Sequence, residues 1–135
     1  MSFENRQALS ALRLDKAEEA ISDALLLLRM ERFNLAANRA YFAVFYAMRA
    51  VLALDGIDRK HHSGVIAEFR RLYIKPGIFE NWMSDTIGDL FDLRTDTDYD
   101  DFFIVSKEEV AEEVRNAERF VTQVEEYLEL LRKTE

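Results

Sequence analysis

From Ala40 to Leu54 the chain carries one charged residue, Arg49, and sets Tyr41, Phe42, Phe45 and Tyr46 on several sides of a single helical period. A helix apolar nearly all round has no face to offer water. It must be central in a bundle or half covered by another subunit. The remaining composition agrees with a helical setting. One Pro and four Gly in 135 residues leave few breakers, and the abundant Ala, Leu, Glu and Arg are good helix formers. The expected class is therefore all-α, an up-down four-helix bundle with one additional short helix, in a single domain over residues 1–135.

The expected boundaries follow from apolar periodicity and from caps. A first helix runs from about Asn5 to Met30, with Leu9, Leu12, Ile21, Leu25 and Leu28 as its apolar face. A polar break at Glu31–Asn34 precedes the apolar second helix, which ends at Asp55-Gly56, where glycine supplies a left-handed cap. After the loop Ile57–His61, His62 or Ser63 caps a third helix that reaches Tyr73 or Lys75 and is stopped by Pro76-Gly77. The fourth starts near Ile78 and runs out around Thr95–Thr97 into an Asp-rich loop and Phe102-Phe103-Ile104-Val105. Ser106-Lys107-Glu108-Glu109 is a capping box. Behind it Val110, Val114, Ala117, Val121, Val124, Leu128 and Leu131 alternate spacings of four and three, a seam suited to near-parallel packing.

The acids divide by type. Between Asp85 and Asp101 all seven are Asp, grouped around one cation, Arg94; from Lys107 to Glu135 all nine are Glu. Asp competes for local backbone hydrogen bonds and favours caps and turns, so the Arg94 segment is where a chemical centre is sought. Arg94 is either a salt-bridge anchor or a clamp on phosphate, whose oxygens a guanidinium fork matches. Asp96 and Asp98 are its nearest candidate ion-pair acids. Asp96, Asp98 and Asp100 alternate as in a calcium loop, but Asp101 stands where that loop needs Gly and Lys107 where it needs Glu, so no metal is assigned. Asn38 and Arg39 open the apolar helix, and Asn38, Phe42, Phe45 and Arg49 share one stripe. A buried Arg requires a partner, and the Asp-rich segment is the expected donor for Arg39 or Arg49. Lys60, His62 and Ser63 form a second candidate phosphate site at the start of the third helix, inside a basic stretch from Arg59 to Lys75.

Exclusions narrow the function. A formal net charge of −8 argues against a duplex-DNA binder. Absent cysteine removes disulfides, thiol catalysis and Cys-based zinc sites. The longest apolar run of the first helix, Ala24 to Leu28, is far short of the ~20 residues a membrane span needs, and nothing resembles a signal peptide. A cytoplasmic protein with no cofactor is the expectation.

Three blocks carry a resemblance: Asn38-Arg39-Ala40-Tyr41-Phe42-Ala43-Val44-Phe45-Tyr46-Ala47, His62-Ser63-Gly64-Val65-Ile66, and Leu93-Arg94-Thr95-Asp96-Thr97-Asp98-Tyr99. In order and spacing, over roughly Leu14 to Glu126, they resemble HEPN-domain proteins, and within them the small prokaryotic branch with Ser-Arg-Ala-Tyr-Tyr-Ala and Arg-x-x-Ala-Asp-Tyr blocks. The resemblance implies a helical, homodimeric module, the partner of a minimal nucleotidyltransferase in a toxin–antitoxin-like pair. It implies an RNA or nucleotide phosphate near Arg94, Arg39 and Tyr99. Many such proteins are metal-independent RNases that use an Arg followed four to six residues later by His. Arg94 matches that Arg, but Tyr99 occupies the His position, and no histidine follows Arg94. A tyrosine with an ordinary pKa of about 10 is a poor base at neutral pH, so the leading expectation is a binding module, with Tyr99 a candidate acceptor of a nucleotidyl group. A divergent RNase using Arg94 without that His is the alternative, and a purely structural scaffold is a third.

Overall fold

A computed structural model describes residues 1–101 and 105–134. The chain forms five helices, α1 (Phe3–Arg29), α2 (Phe33–Leu54), α3 (His62–Phe69), α4 (Asn81–Tyr99) and α5 (Lys107–Lys133). Directly after α3 comes a π-helical turn, Arg70–Ile74. The expected bundle of four long helices and one short one is what forms, and α2 is its centre, packed against all four others. The apolar character of α2 is thus satisfied within the chain: Tyr41, Phe45, Met48, Val51 and Leu52 are buried. None of the described helices is long and apolar enough to cross a membrane.

Alanine decides how close the first two helices come. Ala36, Ala40, Ala43, Ala47 and Ala50 recur along α2 at spacings of four and three, and Ala17, Ala20 and Ala24 do so on α1; all are buried. Side chains this small let the two helices share the most extensive contact in the fold. Of the expected face of α1, Ile21 is buried and Leu25 and Leu28 pack against the core, while one position is corrected. Its core positions are Ser10, Arg13, Ala17, Ala20, Ile21 and Ala24, while Leu12 is half exposed. Counting only large apolar residues misses the buried alanines that carry the closest contact. On α5 the seam is as expected, buried from Val110 to Leu128 and partly at Leu131.

Helix ends explain most boundaries. Ser2 Oγ accepts from Asn5 N–H at 3.1 Å, and Ser106 Oγ accepts from Glu109 N–H at 3.1 Å. At Gly56 (φ +73°) the Ile57 N–H reaches back to the Leu52 carbonyl at 3.1 Å, the Schellman closure expected there. The same closure ends α1, with Arg32 N–H to the Leu27 carbonyl at 2.9 Å, but the left-handed position (φ +59°) is held by Glu31. Three expected ends are corrected. The N-cap of α3 is His61, with no side-chain cap, rather than His62 or Ser63. Helix α4 begins at Asn81 instead of Ile78, with Phe79 buried ahead of it. It also continues to Tyr99, so Asp96 and Asp98 lie on the helix and not in a loop. Helical i, i+4 pairing of Arg94 with Asp98 compensates the poor helix propensity of Asp there. The expected run Phe102-Phe103-Ile104 lies outside the described residues.

Two polar arrangements tie the bundle. Arg13, 7% exposed, gives one guanidinium nitrogen to the Arg49 carbonyl at 3.3 Å and another to Asp58 at 2.8 Å; Arg49 meets the same Asp58 oxygen at 2.9 Å. Both hold the Asp58 carboxyl below its ordinary range, Arg49 foremost. Between α4 and α5, Glu113 is less well served. Its Oε1 lies 3.5 Å from Asn116 Nδ2, and its Oε2 is buried without a hydrogen-bond partner among the described residues. Burial, and then the charge of Asp89, push its pKa up to about 7.

Candidate functional site

One cluster gathers the chemistry, built from three elements. The stripe Asn38, Phe42, Phe45 and Arg49 of α2, with Tyr41 beside it, forms one wall; the first turn of α3 brings His62; the last two turns of α4 bring Arg94, Asp98 and Tyr99. Arg94 holds an aromatic nest. Its guanidinium carbon is 5.4 Å from the ring centre of Tyr41, 5.5 Å from that of Phe42 and 5.7 Å from that of Tyr99, each within cation–π range. Arg94 Nε lies 2.9 Å from Asp98 Oδ2 as an ion pair without hydrogen-bond alignment, and the same oxygen accepts from Asn38 Nδ2 at 3.3 Å. Asp98 thus neutralises the Nε side of the guanidinium by charge, and its bond from Asn38 ties the end of α4 to the start of α2.

His62 is the second part of the cluster. Its ring stacks on Phe45 at 4.2 Å, and its Nδ1 is 2.7 Å from the Tyr41 hydroxyl. Arg49 covers the Phe45 ring at 5.7 Å, so the imidazole touches two aromatic rings, each backed by an arginine. Burial, then Arg94, then Arg49 hold its pKa below the ordinary 6.5, which makes it a neutral imidazole at pH 7. Burial also pushes Tyr41 up to about 12, Arg94 pulling the other way, so its phenol keeps its proton. That proton needs an acceptor, and among the described residues His62 Nδ1 is the one within reach. The tautomer assigned from this bond has Nδ1 accepting and Nε2 carrying the hydrogen.

The expected site residues divide. Arg94, Asp98, Asn38, His62 and Tyr99 come together. Arg39 joins at the edge, its Nε and Nη2 donating to Asn38 Oδ1 at 3.2 and 3.0 Å, with its guanidinium 5.0 Å from the Phe42 ring. Lys60 and Ser63 are exposed and make no described contact with Arg94 or His62, and Asp96 is exposed while Asp98 takes the ion pair. The Asp-rich segment is not the partner of Arg39 or Arg49: Arg49 pairs with Asp58, Arg39 with Asn38. Arg pairing near helix ends is set by the loop that folds back, and the loop after α2 supplies Asp58 from nine residues away. Tyr41 was missed as a functional group. Its signal was available: a tyrosine at a fully buried position of an apolar helix must find a polar partner for its hydroxyl.

Comparison with known proteins adds to this geometry. The family model for the HEPN domain matches residues 10–127. A Thermotoga maritima protein named "UPF0332 protein" is 35% identical over 87% of this chain and 89% of its own length. Two Methanocaldococcus jannaschii proteins are also similar. "Putative toxin MJ0605" is 30% identical, covering 91% of this chain and 90% of that protein; "Putative toxin MJ0142" is 28% identical, covering 85% and 78%.

Proposed function

The chain belongs to the HEPN family, and from that premise we propose that it is a binding module, the HEPN half of a toxin–antitoxin-like pair, whose Arg94 cluster receives a phosphate of RNA or of a nucleotide. The toxin names of the Methanocaldococcus relatives support the first part. The observation that carries the second is the pairing of Arg94, whose Nε side faces the Asp98 carboxylate, with a neutral His62 on the same tyrosine. Asp98 leaves the terminal edge of the guanidinium as the one a phosphate takes. With Nδ1 accepting from Tyr41, the Nε2–H of His62 is a second donor for the same anion. On this reading the protein acts as a homodimer with a minimal nucleotidyltransferase as its partner, and the exposed, charge-flanked Tyr99 is the residue open to nucleotidyl transfer.

A second reading, the metal-independent RNase, gains from the position of His62, which brings an imidazole onto Tyr41, the ring that Arg94 also covers. In that reaction His62 Nε2 would take the proton of a ribose 2′-hydroxyl as its oxygen attacks phosphorus, Arg94 would hold the phosphoryl charge, and the departing 5′ oxygen would take a proton from water. This needs the opposite tautomer, with Nδ1–H donating to Tyr41 and the buried phenol proton left without its acceptor. That cost favours binding over cleavage. The test is an RNase assay on a mixed RNA pool with EDTA present, run on the wild type, Arg94→Ala and His62→Ala. Binding of a short RNA by the wild type without cleavage, lost in Arg94→Ala, is the expected result. EDTA-resistant cleavage abolished by both substitutions would replace the binding reading with the nuclease.

A further inference from the structure

Beside the Arg94 cluster, on the other side of the first turn of α3, a groove of about 380 Å³ runs between α3 and α4. Ile66, Ala67 and Ile87 give it an apolar floor, Phe91 stands along one wall, and Asp92 and Arg70 bring polar groups to its rim. We infer that this groove is a nucleobase subsite that completes the phosphate site, so that the ligand of the Arg94 cluster is a nucleotide read at its base as well as at its phosphate. The inference rests on the phosphate-binding reading of that cluster.

Four observations commit the groove to a flat heteroaromatic ring. First, Phe91 is a large aromatic residue left 36% exposed, and its ring is braced on one side by Tyr41 at 6.1 Å, edge to face. A braced ring with an open face is a stacking platform. Second, the groove and the phosphate site are continuous. Tyr41 touches both Phe91 and Arg94, and Phe91 precedes Arg94 by three residues on α4, a rise of about 4.5 Å along a helix. That places stacking face and guanidinium within the reach of one nucleotide. Third, the rim is built and held. Arg70 donates from Nε to Ser84 Oγ at 3.0 Å and from Nη2 to the Ser84 carbonyl at 3.0 Å, which fixes this wall before any ligand arrives. Its cation and the exposed Asp92 carboxylate offer a donor and an acceptor to the edge of a base, whose ring atoms present both. Fourth, Gly88 lies on the side lined by Arg70; a β-carbon there would meet Arg70 Nη2 at 3.5 Å, and any longer side chain would occupy the space. The volume is at the small end of ligand pockets, the right scale for a base and too small for a helix.

The experiment is a pair of titrations followed calorimetrically, AMP against ribose 5-phosphate, on the wild type, Gly88→Leu, Phe91→Ala and Arg94→Ala. Sedimentation velocity on each variant controls for assembly. The wild type is expected to bind AMP on the order of tenfold more tightly than ribose 5-phosphate, the worth of one base stacked on one ring. Gly88→Leu and Phe91→Ala should bring AMP down to the level of ribose 5-phosphate and leave ribose 5-phosphate unchanged, while Arg94→Ala should weaken both. Equal affinity of the two ligands for the wild type overturns the subsite and leaves the phosphate site standing. Absence of binding by either ligand overturns the phosphate reading and the subsite with it. A Gly88→Leu protein that sediments at half the mass of the wild type would assign the groove to a second copy of the chain and likewise overturn the inference.

Discussion

Replacing Glu113 by Gln should stabilise this protein above neutral pH and do almost nothing below pH 5. The reasoning starts from Glu113 Oε2, buried with no hydrogen-bond partner among the described residues, and from Asp89, Glu112 and Glu109, whose charges all oppose ionisation. Raising a carboxyl from 4.5 to about 7 means that the folded state holds its proton more tightly than the unfolded chain does. The sign follows. The stabilising contribution of the protonated acid is fully present below pH 4.5 and is lost as pH rises through about 7. At about 1.4 kcal/mol per decade the upper limit is ~3 kcal/mol. The side chain is only about half buried, so solvent screening reduces this to roughly 1–2 kcal/mol. Glutamine keeps the shape, carries no charge, and offers an N–H₂ toward Asp89. Urea unfolding of both proteins at pH 5 and pH 8 measures the effect, with Gln the more stable by roughly 1–2 kcal/mol at pH 8 and within a few tenths at pH 5. For a chain of this size that corresponds to a rise of roughly 3–8 °C in Tm at pH 8. A Gln variant less stable at pH 8, or one whose advantage is the same at both pH values, would refute the argument.

Two other expectations follow from the structure. The His62 ring should titrate below 6.5 and sit mainly as the Nε2–H tautomer in ¹⁵N NMR; Arg94→Ala should move its pKa upward, and Tyr41→Phe should redistribute the tautomers. A wild-type pKa at or above 6.5 would refute the downward pull assigned to burial and the two arginines. Glu31→Gly should stabilise the fold by about 0.5–1 kcal/mol in urea titrations, because a non-glycine residue now holds the left-handed position after α1; no gain would mean that the Glu31 side chain supplies a compensating contact.

The legible part of this fold was the part written in large apolar residues and caps. The seam Val110 to Leu128, the Ser106 cap and the Gly56 closure each depend on neighbours a few residues away, and sequence shows those neighbours directly. The face of α1 is only partly legible, because beside Ile21, Leu25 and Leu28 the contact between closely packed helices is carried by Ala17, Ala20 and Ala24, which a search for leucines passes over. At the site, Arg94 could be singled out because it stands alone among aspartates, and Asn38 because it opens an apolar helix. Its pairing was harder. Asp98 wins Arg94 through i, i+4 geometry once α4 is known to continue to Tyr99, and Asp58 wins Arg49 through a loop whose path no periodicity describes. The approach of His62 to Arg94 is tertiary altogether, made by two helices meeting across Tyr41.

The π-helical turn at Arg70–Ile74 gives the site an unusual dependence on chain length. Its Lys75 N–H reaches the Arg70 carbonyl at 2.9 Å, so this stretch holds one residue more than an α-helical turn would. Downstream of it Phe79 is anchored in the core against Tyr73 and Tyr127, and upstream α3 presents His62 to Tyr41. Removing one residue would let the stretch relax to α geometry, and everything before it would turn by about 100° relative to that anchor. His62 would leave Tyr41 while every helix kept its composition and its cap. The extra residue sets the phase of the first turn of α3, and insertions or deletions between His62 and Tyr73 would be filtered far more strictly than substitutions at the same positions.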